Sequence, residues 1–351
     1  MRRRTAPPAR RLAAVLFVAA LGAIAAGAAR VSAGDPPVRL KVLYGRYLAF
    51  APHAIAVAEG YFRAQGLDVE LVHMTTTADA MPALIRGDID VGAGLMKVAD
   101  FNAMARGAQL RIVADQGHDE FGPCVAAGLV ARPGFPGAPG GELSGRLRGA
   151  RTSATPLSYG EFVLETFVNS AGLNLADLGL SRLPAASAAE AVSEGTIDFT
   201  YLAEPFLTVA TRSGRATLWK PLREVVPRAQ LAVILFGPNL LTAHRDAGRR
   251  FLTAYLQGVR QYNLGKTPRN IEILSRETGH DAAVLRESCW TWIDRDGTID
   301  VPSVLDFQRW AVRRGMLDAV VPPEGFWDPS FAKAASRNLA PPPRAAAPKA
   351  P

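Results

Sequence analysis

The sequence predicts an α/β protein built as two lobes of similar construction. Helical and strand patterns alternate along most of its 351 residues, a rhythm that is typical of parallel sheets. One short unit occurs in each half: a helical segment ends at a glycine and Ile-Asp follows, at Gly87–Asp90 and again at Gly195–Asp198. Because a chain of this length can bury two cores, the two copies indicate two comparable lobes.

The first half of the chain shows the alternation most clearly. Short strands are predicted at Leu40–Tyr44, Leu67–Leu71, Ile89–Val91 and Leu110–Ala114. Helical faces follow Pro52, a residue suited to the first turn of a helix, and Asp79, a candidate N-cap. Gly66, Gly87 and Gly107 are expected to end helices, because the left-handed conformation of a helix C-terminus costs glycine little.

The second half resumes the alternation after an interruption. The run Arg132–Gly141 is rich in proline and glycine, which predicts a loop and a natural end of one lobe. A helix is expected over Ser158–Ala171 and an apolar strand over Gln230–Phe236. From Ala247 to the early 300s the pattern is helical, and the Pro/Ala-rich end, 339–351, is expected to be disordered.

The first 33 residues have the layout of a secretory signal peptide. Arginines up to Arg11 precede an apolar stretch over Leu12–Ala29, and Val31-Ser32-Ala33 offers a small-x-small cleavage site. A transmembrane anchor is the alternative, but the many alanine and glycine residues weaken it. We therefore expect cleavage near Ala33 and export to the periplasm, with a twin-arginine route left open beside the general one by Arg10-Arg11.

The net charge and the cysteine content narrow the class of protein further. The formal net charge is +8, but six arginines lie in the first 33 residues, and without them the charge is only +2. The basic character is therefore no sign of a nucleic-acid partner. The two cysteines, Cys124 and Cys289, can form a disulfide in an exported protein, and two buried free thiols are the alternative.

Sequence signatures of catalysis and of metal binding are missing. The chain has no Gly-x-Ser-x-Gly, no His-Glu-x-x-His and no Walker loop. Its five histidines lack metal-ligand spacing; His118, beside Asp119 and Glu120, is the best candidate, although a surface loop explains it better. We therefore expect no catalytic residue, no metal and no cofactor.

Ligands of open parallel sheets bind beyond the carboxyl ends of the strands, and this rule selects particular loops. In the first half the candidate ligand-binding residues are Tyr47, Phe50, Thr75, Thr76, Gly94, Met96 and Gln116. In the second half they are Thr155, Ser158, Tyr159 and Glu204. Hydroxyls, small residues and aromatic rings dominate this set, which favours a small organic solute.

Chemical roles can be assigned to several of these residues. Thr155, Ser158 and the backbone around Gly94–Met96 could hold a sulfonate, carboxylate or nitrate near a helix N-terminus, although helix capping alone would explain the two hydroxyls. The loop aromatics could wall a pocket for an apolar ligand. Glu204 would suit an amine, its alternative being a solvated acid, and a zwitterion would satisfy both the acid and the anion site.

A longer stretch carries a family resemblance. Ala56–Glu70, AVAEGYFRAQGLDVE, resembles the motif A-x-x-x-G-Y-F-x-x-x-G-L-D-V-E of ABC-transporter substrate-binding proteins. The most similar branch serves alkanesulfonates, taurine, nitrate and thiamine pyrimidine precursors. Further motifs match in order over residues 38–320: Gly87–Gly92, Leu147–Arg151, Gly172-Leu173, Gly195–Asp198 and Glu204-Pro205.

This resemblance implies a type II periplasmic binding protein fold, in which two α/β lobes are joined by a two-strand hinge. It implies a first lobe over 35–131 and 235–335, a second lobe over 132–234, and crossovers near Ala131 and Leu231–Phe236. The ligand would be a small organic anion or zwitterion, sulfonate- or taurine-like, held in the cleft. An inner-membrane ABC permease with its ATPase would be the partner of a monomeric protein.

Two other functions stay open at this point. The same branch includes enzymes that make the thiamine pyrimidine, but their cysteine-rich motif is absent and Phe50 stands where they carry the histidine that they consume. A sensory binding module that reports to a receptor cannot be separated from a transporter component by sequence. We predict a non-catalytic periplasmic solute-binding protein.

Overall fold

A computed structural model describes residues 36–339 except 74–76, 121, 123 and 136–141. The expected signal peptide and the expected disordered tail beyond Leu339 therefore lie outside the described residues. Within the part of the chain that the structure describes, no helix combines the length and the apolar character needed to cross a membrane.

Two five-stranded sheets form the frame of the described chain. Their strands are β1 (Val38–Tyr44), β2 (Leu67–His73), β3 (Val91–Leu95), β4 (Arg111–His118), β5 (Ala127–Ala131), β6 (Arg151–Ser153), β7 (Gly179–Ser181), β8 (Phe199–Ala203), β9 (Thr217–Pro221) and β10 (Gln230–Phe236). The first sheet has the order β2-β1-β3-β10-β4 and the second has the order β7-β6-β8-β5-β9. We call the parts built around them the first lobe and the second lobe.

The two sheets have the same construction. In the first, β1 is parallel to β2 and β3, and β10 is antiparallel to both β3 and β4. In the second, β6 is parallel to β7 and β8, and β5 is antiparallel to both β8 and β9. The predicted α/β fold with two comparable lobes is confirmed.

Two strands belong to a different lobe from the one expected, so the lobe boundaries differ from those expected. The strand β5, which the expectation placed in the first lobe, pairs with β8 and β9 of the second. The strand β10, most of which was expected in the second lobe, pairs with β3 and β4 of the first. The chain therefore crosses between His118 and Ala127 and again between Val225 and Gln230, and Arg132 begins a loop within the second lobe.

Helices cover both faces of these sheets. The described helices are α1 (Ala51–Ala58), α2 (Tyr61–Ala64), α3 (Thr77–Arg86), α4 (Val98–Ala105), α5 (Leu143–Leu147), α6 (Tyr159–Ser170), α7 (Ala185–Glu194), α8 (Phe206–Thr211), α9 (Leu222–Val225), α10 (Pro238–Leu241), α11 (Arg245–Tyr262), α12 (Pro268–Thr278), α13 (Ala282–Glu287), α14 (Val301–Arg313), α15 (Pro323–Phe326) and α16 (Ser330–Asn338), with 3₁₀ turns at Leu48–Phe50 and Leu175–Asp177. Gly87 and Gly195 follow α3 and α7 with φ of 78° and 75°, the left-handed conformation that the sequence predicts.

One hydrophobic cluster joins the two lobes. On α6 of the second lobe, Tyr159 and Phe162 are buried against Phe307 and Trp310 of α14, with ring centroids 5.7 Å apart for Tyr159–Phe307 and 5.5 Å for Phe162–Trp310. Aromatic pairs at such distances stabilise the packing beyond what the burial of apolar area contributes. This side of the molecule therefore holds the two lobes together, and the carboxyl ends of the parallel strands meet beside it.

Candidate functional site

A cavity of about 280 Å³ lies between the lobes. The ends of β1 and β3 line it from the first lobe, and the ends of β6 and β8 line it from the second. These are the carboxyl ends of parallel strands, where ligands of such sheets bind. The volume is near the lower end of the range for small-molecule pockets, about 300–1,000 Å³.

Backbone hydrogen bonds connect the lobes at the borders of the cavity. The N–H of Val98 donates to the carbonyl of Leu157 at 3.0 Å, and the N–H of Tyr159 donates to the carbonyl of Met96 at 3.1 Å. At another border the N–H of Leu48 donates to the carbonyl of Glu204 at 3.2 Å. The cavity is therefore enclosed by both lobes in a conformation in which they touch.

The structure brings six of the eleven predicted binding residues to this cavity. They are Tyr47, Phe50, Gly94, Thr155, Ser158 and Glu204. Three others, Met96, Gln116 and Tyr159, are fully buried and are not among the described lining residues. The remaining two, Thr75 and Thr76, lie outside the described residues.

The three buried residues support the cavity from behind. Met96 and Tyr159 belong to the cluster that joins the lobes. Gln116 accepts a hydrogen bond from the N–H of Gly94 at 2.6 Å, so it fixes the backbone of a lining residue. All three lie near the carboxyl ends of strands, where the sequence places the candidate site. Their side chains, however, face the protein interior.

The aromatic wall of the cavity depends on two glycines. The ring of Phe50 lies so close to Gly45 and Gly94 that a Cβ at these positions would approach it to 3.0 Å and 3.3 Å. Gly94 also has a φ of 124°, which side chains disfavour. Tyr44 meets Phe50 edge to face with the centroids 5.6 Å apart, completing the wall.

Two further tyrosines, which are not among the eleven predicted binding residues, also line the cavity. Tyr44, the last residue of the first predicted strand, is 3% exposed and still reaches the cavity, and Tyr201 lies on β8. Both hydroxyls are buried without a hydrogen-bond partner in the described structure. Burial raises the pKa of both phenols, as it raises the pKa of Tyr47 to about 12, so all three remain hydrogen-bond donors at neutral pH. The alternation of side chains along a strand divides its residues between two faces. It does not show which of the two faces meets the other lobe.

The backbone groups expected to cradle an anion already have acceptors. The N–H of Gly94 is bonded to Gln116, and the N–H of Met96 donates to the carbonyl of Leu231 at 3.1 Å. At the start of α6, Ser158 accepts from the N–H of Glu161 at 3.3 Å and donates to the carbonyl of Thr155 at 2.6 Å. Ser158 thus caps α6 and lines the cavity, and the two interpretations of this residue are compatible.

The described lining carries one positive and one negative side chain, Lys97 and Glu204. Glu204 is 2% exposed, so it is no solvated acid. Its carboxylate accepts from the Oγ1 and N–H of Thr208 at 2.8 Å and 3.0 Å and from the N–H of Cys289 at 3.1 Å. Burial raises the pKa of Glu204, against the hydrogen bonds from Thr208 and Cys289, which lower it.

The two cysteines form a disulfide, which the sequence left open. Cys124 and Cys289 are joined with an S–S distance of 2.00 Å and no free cysteine is found among the described residues. Cys124 lies in the first crossing between lobes, and Cys289 follows α13. Because the N–H of Cys289 is bonded to Glu204, the disulfide anchors one wall of the cavity.

The metal candidate lies elsewhere, at the end of β4. His118 Nδ1 is 2.7 Å from a carboxylate oxygen of Asp115 and its Nε2 is 4.0 Å from one of Glu120. Across the described residues, no group of three or more His, Cys, Asp or Glu side chains is arranged to hold a metal ion. His118 is thus hydrogen-bonded to Asp115 where the chain leaves the first lobe.

The sequence matches the model of a family described as NMT1-like over residues 33–260, more than half of the chain. No curated protein sequence matches it at significant similarity. The family match covers β1 through β10, including every strand whose end lines the cavity.

Solved structures resemble the chain along most of its length. The ligand-binding component of an ABC-type import system from Staphylococcus aureus, solved with zinc bound, is 19% identical and covers 86% of this chain and 99% of its own, with a TM-score of 0.70. The alkanesulfonate-binding protein SsuA from Xanthomonas axonopodis pv. citri, bound to MOPS, is 18% identical and covers 84% and 99%, with a TM-score of 0.65. The periplasmic nitrate-binding protein NrtA from Synechocystis PCC 6803 is 13% identical and covers 86% and 89%, with a TM-score of 0.69. The fold is therefore the two-lobed periplasmic binding protein fold.

Proposed function

The chain belongs to the NMT1-like family, and from that premise we propose that it is the periplasmic solute-binding component of an ABC importer. It captures a small organic anion or zwitterion, such as a sulfonate or a taurine-like compound, and delivers it to an inner-membrane permease. One observation carries the proposal: both lobes contribute strand ends to a single cavity.

A cavity built in this way couples binding to the conformation of the protein. A solute that contacts β1 and β3 on one side and β6 and β8 on the other makes its full set of contacts only when the lobes are together. By its differential affinity it therefore shifts the population toward the closed form. The permease can then distinguish loaded from empty protein.

The charges of the lining favour a zwitterion or an anion. Lys97 offers an ammonium group to a sulfonate or carboxylate, and Glu204 offers a buried carboxylate to an amine. The structural neighbours include an alkanesulfonate-binding protein bound to MOPS and a nitrate-binding protein. These names support an anionic head group as the feature that the solute shares with theirs.

A binding role is favoured over the thiamine-pyrimidine enzyme. Phe50, which stands where those enzymes carry the histidine that they consume, lies in the cavity wall. Of the structural neighbours named above, one is the ligand-binding component of an ABC-type import system, and the other two are an alkanesulfonate-binding protein and a nitrate-binding protein. A sensory role would use the same cavity, and the gene neighbourhood distinguishes it: an adjacent permease and ATPase identify a transporter.

Export is part of the proposal. The protein reaches the periplasm through a leader cleaved near Ala33 and works there as a monomer. Mass spectrometry of the protein from a periplasmic extract should find a mature N-terminus at Gly34, and light scattering should give the mass of one chain. An uncleaved chain retained with the membranes would contradict this part of the proposal.

Titration calorimetry combined with small-angle X-ray scattering tests the binding function. The panel contains taurine, alkanesulfonates, aromatic carboxylates, nitrate and pyrimidines. At least one solute should bind with a micromolar Kd and decrease the radius of gyration. Lys97→Gln should weaken that binding at least 10-fold, whereas Lys333→Gln, which changes an exposed lysine on α16, should not. A folded protein that binds no member better than millimolar would refute the function.

A further inference from the structure

Resting on the function proposed above, we infer that the solute is an organic anion with a bulky apolar body, such as an arylsulfonate or an arylcarboxylate. The cavity combines an extensive apolar lining with backbone N–H groups at Gly94, Met96 and Tyr159 that are already bonded within the protein.

The wall around Phe50 makes much of the cavity apolar. Its ring and that of Tyr44 face the cavity, and Leu43, Leu183 and Leu202 line it from the two lobes. Two glycines keep this space open by leaving room for the Phe50 ring. Apolar surface removed from water stabilises a complex in proportion to its area, and a two-carbon or inorganic anion offers very little of it.

Three backbone N–H groups near the cavity that could bind an anion are already bonded within the protein. The N–H groups of Gly94, Met96 and Tyr159 donate to protein acceptors. At the start of α6 the carboxylate of Glu161 accepts the N–H of Leu157 at 2.5 Å, so a negative charge of the protein itself occupies the positive end of the helix. A compact anion buried there would lose its hydration without equivalent replacement.

What remains suits one charged head group on a larger molecule. Lys97 provides the positive charge of the described lining, and the buried hydroxyls of Tyr44 and Tyr201 have no partner within the described structure. A carboxylate or sulfonate has several acceptor oxygens that can receive an ammonium and phenolic hydroxyls. The ring or branched body of the solute would then contact the apolar wall.

Calorimetric titration with matched pairs tests the inference. Benzenesulfonate and methanesulfonate share a head group and differ in the apolar body, and benzoate and acetate form a second pair; taurine and nitrate complete the panel. We expect the aromatic member of each pair to bind about 10- to 100-fold more tightly than its methyl counterpart. Radius of gyration is measured on the same samples.

The outcomes separate the inference from the proposed function. If methanesulfonate, taurine or nitrate binds as tightly as benzenesulfonate and compacts the protein, the inference is overturned while the solute-binding function stands. If no member of the panel binds the folded protein, both are overturned. Preferential binding of the aromatic anions supports both.

Hydroxyl-deletion variants examine the head-group site. Tyr44→Phe and Tyr201→Phe should each weaken benzenesulfonate binding about 2- to 10-fold, with the compaction on saturation unchanged. Tyr61→Phe is the matched control, because the Tyr61 hydroxyl is bonded to Gln261 outside the cavity, and it should leave the Kd unchanged. Unchanged binding in both cavity variants would remove the tyrosines from the inferred site.

Discussion

Asp90 in the first lobe and Asp198 in the second make the same hydrogen bonds in their respective sheets. Each carboxylate accepts the backbone N–H of a residue on the neighbouring parallel strand, Lys41 at 2.8 Å and Arg151 at 2.7 Å. In each case the aspartate N–H donates back to the carbonyl of that same residue, at 2.9 Å and 2.7 Å. The repeated Ile-Asp of the sequence is therefore a device for joining two strands of a lobe.

The backbone carbonyls of the same two aspartates also bond to the antiparallel strand by which the chain enters each sheet from the other lobe. The carbonyl of Asp90 accepts the N–H of Gly237, just after β10, and the carbonyl of Asp198 accepts the N–H of Arg132, just after β5, both at 3.0 Å. Each Ile-Asp unit thus ties together a parallel strand and the antiparallel strand inserted beside it. The short unit that occurs in each half of the sequence therefore reflects the shared construction of the two lobes, and it does not mark two copies of a binding site.

The substitution Asp198→Asn should destabilise the protein more than Asp90→Asn. Asp198 is also bonded to the side chains of Arg132 and Arg151, whereas Asp90 has the neutral side-chain partner Asn239. We expect losses of about 1–3 kcal/mol for Asp198→Asn and about 0.5–1.5 kcal/mol for Asp90→Asn in the free energy of unfolding. Urea titration followed by circular dichroism measures both, and equal losses would show that the arginines contribute nothing.

The contribution of Asp198 should disappear in acid. Burial by itself would raise the pKa of Asp198, but the hydrogen bonds from Arg151 and Arg132 outweigh it and lower the pKa from 3.8 to about 2. A carboxyl with a lowered folded-state pKa stabilises the protein above its unfolded pKa, and this stability is lost as the pH falls through the folded value. The difference in unfolding free energy between wild type and Asp198→Asn should therefore be constant near neutrality and shrink between about pH 4 and pH 2. A difference that does not change over this interval would contradict the assignment.

Local sequence patterns predict most elements of this fold because neighbouring residues decide them. Gly87 and Gly195 end helices with positive φ, and Ser158 caps α6 where the sequence predicts a helix start. The assignment of β5 and β10 to sheets could not be predicted in the same way, since their partners are distant in the chain. A strand pattern indicates an extended segment, and the complementary surface that it pairs with is set only by the whole fold.

The candidate site shows the same division. Loops at strand ends could be selected from the sequence, and Tyr47, Phe50 and Glu204 do lie at the cavity. Which side of the backbone faces the other lobe could not be predicted, so Tyr201 was missed and Tyr159 was expected at the cavity although it is buried beside Phe307. Orientation at a cleft depends on how two lobes meet, which is a property of the tertiary structure.

Breaking the Cys124–Cys289 disulfide should reduce stability. The bond closes a separation of 165 residues, and removing a native disulfide of this kind typically costs about 2–5 kcal/mol. The Cys124→Ser/Cys289→Ser double variant and the reduced wild type should lose the same amount, measured by urea unfolding. Two titratable thiols in the unfolded, unreduced protein would show that the bond is absent.

Gly94→Ala should damage the solute site, whereas Gly60→Ala should cost only stability. Both glycines have positive φ, 124° and 73°, so alanine is strained at each. A Cβ on Gly94 would also press on the Phe50 ring at 3.3 Å, while one on Gly60 meets nothing within 4 Å. Because the Phe50 ring forms a cavity wall, its displacement should weaken solute binding at least 10-fold in calorimetric titration. The same variant should also have a free energy of unfolding that is lower by about 1 kcal/mol or more. Gly60→Ala, destabilised for the same backbone reason, should retain the wild-type Kd; equal Kd values in the two variants would mean that Phe50 does not contact the solute.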